Sequence, residues 1–146
     1  MLEKLPEFIG NHIFLVSLFI AILAILIWNL FSSTISGIAQ VPPGELTRLM
    51  NRENAIVVDV RSSAEFSKGH ILNARNIPDG ELETHKKDLE KHKSNPLVTC
   101  CGSGALSPKA ARTLKAMGFE KVYILKGGIQ AWQSANLPLT KDGKKV

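Results

Sequence analysis

The sequence predicts an α/β fold in which helices flank an open parallel sheet, with one apolar helix in front of it. Short apolar runs alternate along the chain with segments of helical periodicity, the pattern of a parallel sheet. One of these runs ends in a cysteine, and small residues and a helix-start signal follow it. An uncharged apolar stretch at 13–31 precedes all of them, so the chain of 146 residues is one domain plus a small N-terminal element.

Residues 13–31 predict a single transmembrane helix. They carry no charge, and nineteen residues in a helix span roughly 28 Å, about the hydrocarbon thickness of a bilayer. Trp28 and Phe31 lie near one end, where an aromatic belt is expected. A cleaved signal peptide with a site near 37–40 is the main alternative, but the apolar stretch is long for one and few positive charges precede it. A buried core helix is disfavoured because the stretch is apolar on every face.

The charges and cysteines outside this stretch favour a cytoplasmic location for the following domain. Lys4 precedes the apolar stretch, whereas Arg48 and Arg52 follow it, which is a weak positive-inside preference. The two cysteines are adjacent and form no disulfide framework, so a reducing compartment is the simpler interpretation. The formal net charge of +5 fits a solvated surface or attraction to anionic lipid. No nucleic-acid-binding motif is present, and no metal site or organic cofactor is predicted.

The remaining segments divide into tails, a linker and one domain. Residues 1–12 are predicted as an N-terminal tail, 32–40 as a small polar linker, 41–138 as the domain, and 139–146 as a basic disordered tail. Ser63 and Ser107 are of a residue type that caps helices, and Pro108 suits a first helical position. The predicted strands are 55–60, 74–77, 97–101 and 122–125, and the predicted helices are 45–50, 63–68, 81–93, 109–117 and 129–135.

Cys101 is the candidate nucleophile because it ends a buried strand and begins a small, flexible loop. Ligands of open α/β sheets bind at the carboxyl ends of the strands. Backbone N–H groups of the loop and the start of the next helix can surround an anion there, so a thiol at this point should ionise easily. The residues that supply these donors are Gly102, Ser103, Gly104, Ala105, Leu106 and Ser107.

A set of short motifs in a fixed order resembles the rhodanese-like domain family over residues 41–138. Each motif is weak alone, and their order and separations make the set specific. With its single apolar helix in front, the chain is similar to the membrane-anchored, single-domain rhodaneses of the bacterial inner membrane, the YibN-like group. The motifs are Val58-Asp59-Val60-Arg61, Glu65-Phe66, Gly69-His70-Ile71, Asn76-Ile77-Pro78, the loop after Cys101, Gly118-Phe119, Val122-Tyr123, and Gly127-Gly128-Ile129 with Trp132 and Leu137-Pro138.

The resemblance implies a sulfurtransferase in which Cys101 takes a sulfane sulfur from a small-molecule or protein donor, holds it as a persulfide, and passes it to a thiol acceptor. Many active relatives have an arginine where Leu106 stands, so weak activity with thiosulfate is expected. Asp59 and Arg61 are expected to form a structural pair near the site, and His70 to be a buried, hydrogen-bonded histidine. Phosphatases of related fold need a loop one residue longer that ends in arginine, and neither Leu106 nor Ser107 supplies it, which disfavours phosphoryl chemistry.

Two further functions remain open at this level. The domain can be a non-catalytic module that binds a membrane protein, or a redox sensor with an accessible, reactive Cys101. Cys100 is expected to face the core on the opposite side of its strand, which disfavours a role as a resolving thiol. His85 and His92 are predicted as solvated surface residues and Trp132 as a core residue.

Overall fold

The computed structural model describes residues 12–32 and 37–141, with side chains of residues 28–32 excluded. The chain divides into two compact units, residues 1–37 and residues 38–146. The predicted N-terminal tail lies almost entirely outside the described residues, as do residues 33–36 of the predicted linker and 142–146 of the predicted basic tail.

The described part of the first unit is one helix, α1 (Ile13–Ser32). This confirms the helix predicted over 13–31. Its described side chains are strongly exposed, with Phe14 at 76% and Ile13 at 70% of full accessibility. In the described ranges 12–32 and 37–141, no helix is found to be long and apolar enough for a membrane crossing. The predicted membrane-spanning role of α1 is therefore not confirmed.

The second unit is built on a five-stranded sheet, ordered β1-β5-β4-β2-β3, in which every pairing is parallel. This confirms the predicted parallel sheet. The central strand β4 is buried along its whole length, since neighbouring strands cover its edges and helices cover its faces. The strands are β1 (Gln40–Val41), β2 (Ile56–Asp59), β3 (Arg75–Asn76), β4 (Leu97–Cys100) and β5 (Val122–Leu125).

Four of the five helices of the second unit, all except Ser63–Lys68, contribute to two apolar clusters, one on each face of the sheet. One cluster contains Cys101 with Leu89 and Leu114, and the other contains Cys100 with Leu46. Consecutive residues of a strand point to opposite faces, which explains the division of the two cysteines and confirms the predicted core position of Cys100. The helices are α2 (Pro43–Glu53), α3 (Ser63–Lys68), α4 (Lys86–Glu90), α5 (Ser107–Ala116) and α6 (Gly128–Ser134).

The helix predicted over 81–93 is wrong in length, because only α4 is α-helical there. The flanking residues form turns with bonds between residues three apart, such as His92 N–H to the carbonyl of Leu89. Leu82 and Leu89 are buried as predicted. Leu82 and Leu89 are two apolar residues in a highly charged segment. Their burial holds the segment against the core but does not require a continuous helix.

Both predicted helix caps need correction. The cap of α3 is Ser62 rather than Ser63, and it forms a reciprocal capping box with Glu65. Helix α5 already includes Ser107, and its cap position is Leu106, which gives no side-chain hydrogen bond. Pro108 does lie in the first turn of α5, as expected for a residue without an N–H.

The predicted domain boundaries at 41 and 138 lie inside the folded unit. Ile38 is buried in the core, and the N–H of Ile124 donates to the carbonyl of Ala39 at 3.0 Å. At the other end, Thr140 and His70 exchange two backbone hydrogen bonds of 2.8 and 2.9 Å. Neither residues 38–40 nor residues 139–140 belong to a linker or a disordered tail, because backbone pairing and apolar burial include them.

The start of α6 packs directly against the chain that leaves β4. The N–H of Ile129 donates to the carbonyl of Cys101 at 2.9 Å, and the N–H of Gln130 donates to the carbonyl of Gly102 at 3.1 Å. Gly128 has φ +60°, and a Cβ atom there would overlap the carbonyl oxygen of Cys101 and lie 2.7 Å from that of Gly102. Only glycine fits this close approach.

We predict that Gly128→Ala lowers the free energy of unfolding by at least about 2 kcal/mol. The alanine side chain would be strained in the left-handed conformation of this residue and would also overlap two carbonyl groups. Chemical denaturation followed by circular dichroism measures this. Gly44→Ala is the matched control because a Cβ there meets no atom within 4 Å, and it should be neutral or stabilising. Equal stability of Gly128→Ala and the unmodified chain would contradict the close approach.

Candidate functional site

Cys101 lies one residue beyond β4, at the carboxyl edge of the sheet. Asp59 at the end of β2 pairs with Cys100 in the sheet register, so the segment after β2 lies beside the loop after β4. Cys101 is only 2% exposed, and its neighbours in the loop are more accessible. This is the strand-end position that the sequence predicts for the candidate nucleophile.

The loop wraps two backbone donors around the sulfur. The N–H groups of Gly104 and Leu106 donate to Cys101 Sγ, with N···S distances of 3.1 and 3.4 Å. Gly104 has φ +97°, a conformation that favours glycine and lets the loop curl back on the sulfur. The loop therefore provides partial positive charge at the point where a sulfur anion would form. We call this arrangement the sulfur cradle.

The side chains of the loop carry no charge, and they differ in how far they are exposed to solvent. Ser103 and Ala105 are exposed, and Leu106 is 46% exposed. Ser107 is fully buried, and its Oγ is the one buried side-chain polar atom without a hydrogen-bond partner among the described residues. Its carbonyl accepts from Thr99 Oγ1 at 3.1 Å, which ties the end of the loop to β4.

Asp59 and Arg61 form the predicted pair beside the loop. Arg61 Nη2 lies 2.6 Å from Asp59 Oδ2, and Arg61 Nε donates to both carboxylate oxygens at 3.0 and 3.1 Å. The same Nη2 donates to the carbonyl of Gly69 at 2.9 Å. The hydrogen bonds with Asp59 raise the pKa of Arg61 above its usual value. The fully buried carboxylate of Asp59 thus has a charged partner that also holds the neighbouring segment.

His70 is buried and hydrogen-bonded, as predicted. Its Nδ1 lies 3.0 Å from the carbonyl oxygen of Phe66, and its ring stacks on that of Phe66 with centroids 3.7 Å apart. Trp132 is buried in the core and donates from Nε1 to the carbonyl of Pro138 at 2.9 Å. Both rings fix segments around the site by packing.

Cys100 has no access to the sulfur cradle. It is fully buried in the apolar cluster on the opposite face from Cys101. Burial raises the pKa of the Cys100 thiol well above its usual value, and the nearby Asp59 adds to this effect. An inaccessible thiol that stays protonated is a poor nucleophile and a poor resolving group.

Two positive side chains near the ends of the loop are paired with carboxylates. Arg61 is paired with Asp59, and Lys109 in the first turn of α5 is paired with Asp79 at 2.8 Å. Within the described ranges, no group of histidine, cysteine or acidic side chains could hold a metal ion. His85 and His92 are half-buried and hydrogen-bonded rather than fully solvated, because His85 Nδ1 lies 3.0 Å from the carbonyl oxygen of Glu81 and His92 Nε2 lies 2.7 Å from Arg75 Nη2.

Sequence reasoning missed a cavity of about 310 Å³ that opens beside Gly102. Its polar walls come from α3 and α6, through Glu65 and Lys68 on one helix and Gln130 and Gln133 on the other. The two members of each pair are three residues apart and therefore share a helix face, and this spacing is the only feature of the sequence that points to the cavity. That signal is common on solvated helices, and only the fold places the two pairs around one cavity.

Comparison with known proteins places this geometry in a family. The chain is 36% identical to the YibN protein of Escherichia coli K12 over 141 residues, which cover 96% of this chain and 99% of that protein. It is 30% identical to the thiosulfate sulfurtransferase GlpE of Pseudomonas putida F1 over 104 residues, covering 71% of this chain and 93% of GlpE.

Solved structures with the same fold include two at 28% identity. One is a rhodanese-related protein from Thermoplasma volcanium, with a TM-score of 0.62 over 70% of this chain and 97% of that one. The other is a thiosulfate sulfurtransferase from Pseudomonas aeruginosa, with a TM-score of 0.63 over 71% of this chain and 19% of that one. The rhodanese-like domain model matches residues 42–135, and the chain therefore belongs to the rhodanese-like domain family.

Proposed function

We propose that this protein is a sulfurtransferase in which Cys101 carries a sulfane sulfur as a persulfide. The observation that carries the proposal is the sulfur cradle, which aims the N–H groups of Gly104 and Leu106 at Cys101 Sγ. Relatives named as thiosulfate sulfurtransferases support the reaction class.

The transfer is a displacement at sulfur without a net change in oxidation state. The Cys101 thiolate attacks the outer sulfur of the donor, a new S–S bond forms on Cys101, and the donor's inner sulfur leaves with the electron pair of the broken bond. In the second step an acceptor thiolate attacks that outer sulfur, and Cys101 leaves as the thiolate. Backbone donors fixed before the reaction stabilise the sulfur anion in both steps.

The charges around the site favour donors other than thiosulfate. Thiosulfate is a dianion, the loop has Leu106 where a cation would bind it, and the nearby Arg61 and Lys109 are each paired with an aspartate. A small-molecule or protein persulfide places less negative charge in the site. We therefore expect persulfide donors to load Cys101 faster than thiosulfate does.

The full chain exposed to a persulfide donor should gain about 32 Da, one sulfur atom, on intact mass measurement. Cys101→Ser should abolish the gain, because no other described thiol reaches the cradle, and Cys100→Ser should keep it. Thiosulfate at equal concentration should load more slowly. A gain that survives Cys101→Ser, or that only Cys100→Ser removes, would refute the assignment.

No gain with either donor would favour the alternative function, a non-catalytic module that binds a membrane protein. In that case Cys101→Ser should leave the cellular phenotype unchanged, whereas removal of α1 should abolish it.

We further propose that α1 anchors the chain in the bacterial inner membrane by a single pass, with the folded unit on the cytoplasmic side. The described side chains of α1 support this, because Ile13, Phe14 and Phe19 are all at least 65% exposed. A surface this apolar is stable in lipid and unfavourable in water. The two free cysteines suit a reducing compartment.

In cell fractionation, the full chain should sediment with membranes and resist alkaline extraction, whereas a chain lacking residues 1–32 should be released. Protease added to spheroplasts should leave the folded unit intact and cleave it only after lysis. Recovery of the full chain in the soluble fraction would contradict the anchor, and cleavage in intact spheroplasts would contradict the orientation.

A further inference from the structure

The cavity beside Gly102 has the dimensions and chemistry of a small-molecule site. Its volume of about 310 Å³ lies at the lower limit of ligand pockets, which run from about 300 to 1,000 Å³. It accommodates a molecule of amino-acid size and excludes a folded protein segment. Gly102, the residue after Cys101, lines the cavity, so the cavity opens next to the loop that carries the cradle.

Two helices present polar pairs to this cavity. On α3, Glu65 and Lys68 provide one negative and one positive charge, and on α6, Gln130 and Gln133 provide two amides that both donate and accept. Residues three apart share one helix face, which is why both members of each pair line the same space. The walls therefore complement a ligand with separated charges of opposite sign.

The charges that remain available to a ligand are those of α3. Arg61 also lines the cavity, but its guanidinium is committed to Asp59 and to the carbonyl of Gly69. No carboxylate of the described residues lies within ion-pair distance of Lys68, whose charge acts at longer range on Glu65 of the same helix. Glu65 is oriented by Ser62 Oγ, which donates to its Oε2 at 2.7 Å. That hydrogen bond lowers the pKa of Glu65, so the carboxylate stays charged at neutral pH.

We propose that the cavity binds the amino-acid end of a small thiol persulfide, the donor that loads Cys101. Lys68 pairs with the ligand's carboxylate, Glu65 pairs with its ammonium group, and Gln130 and Gln133 hydrogen-bond to both. This inference rests on the proposed function, because it names the class of donor for the same site. The class is an α-amino acid whose side chain ends in a persulfide, such as cysteine persulfide.

The reaction balances without any further reagent. The donor's S–S bond breaks and leaves the amino-acid thiolate with the electron pair, while its outer sulfur forms the new S–S bond with Cys101 Sγ. No oxidant or reductant is consumed. The released amino-acid thiolate takes up the proton that the Cys101 thiol gave up before the attack.

The test compares loading rates of the full chain, in detergent solution, with two small persulfide donors, and follows the ratio of the two rates from variant to variant because the leaving thiols differ in pKa. Cysteine persulfide carries both charges, and the persulfide of 2-mercaptoethanol carries neither. We expect the ratio of the cysteine persulfide rate to the 2-mercaptoethanol persulfide rate, at low concentration, to be at least about fivefold higher in the unmodified chain than in a chain without the cavity charges, the size of one or two partly exposed ion pairs. S-methylcysteine, which holds no transferable sulfur, should compete with cysteine persulfide, and Lys68→Gln should weaken this competition.

Lys68→Gln should remove most of this difference in the rate ratio. The double variant Gln130→Ala/Gln133→Ala gives an independent test on the other wall. Lys87→Gln on α4 is the matched control, since it removes an exposed lysine outside the cavity and should keep the full rate ratio.

A rate ratio that stays the same in both cavity variants would overturn this inference and leave the proposed sulfurtransferase intact. Failure of every donor to load Cys101 would overturn both. A rate ratio that falls in Lys68→Gln and is retained in Lys87→Gln supports the cavity as the donor site.

Discussion

The contact between the start of α6 and the carbonyls of Cys101 and Gly102 holds the candidate site together. It orients the carbonyls toward α6, so the following N–H groups, at Gly104 and Leu106, are free to turn toward Cys101 Sγ. The same contact places the side chains of α6 beside Gly102, where they form one wall of the cavity. One close approach, possible only because residue 128 is glycine, therefore serves both the sulfur cradle and the proposed donor site.

Charge pairing around the loop decides what the site can bind. The cradle offers only backbone dipoles, since the loop has no charged side chain and two cations near its ends are paired with Asp59 and Asp79. Dipoles of this kind stabilise one sulfur anion but compensate poorly for a second charge on a donor such as thiosulfate. The opposite charges of Glu65 and Lys68 instead match a donor whose head group is neutral overall.

Much of the fold follows from local sequence patterns, because buried parallel strands are continuous apolar runs. The predicted bounds of Val122–Leu125 are those of β5, and the alternation of β4, continued by one residue, separates Cys100 from Cys101. The segment 81–93 was not predicted correctly, because charged residues of high helix propensity favour a helix that the few tertiary contacts do not enforce. The cavity could not be predicted, since Glu65 and Gln130 are sixty-five positions apart and meet only through the parallel topology.

The central claim is that backbone N–H groups of the loop bind the sulfur of Cys101, and the most direct measurement is amide NMR of the full chain in detergent micelles. The amide protons of Gly104 and Leu106 should shift when Cys101 is loaded with sulfur and should lose hydrogen-exchange protection in Cys101→Ala. Those of the exposed Ser103 and Ala105 should change little in either case. Exchange at Gly104 and Leu106 as fast as at Ser103 and Ala105, with no response to loading, would contradict the account.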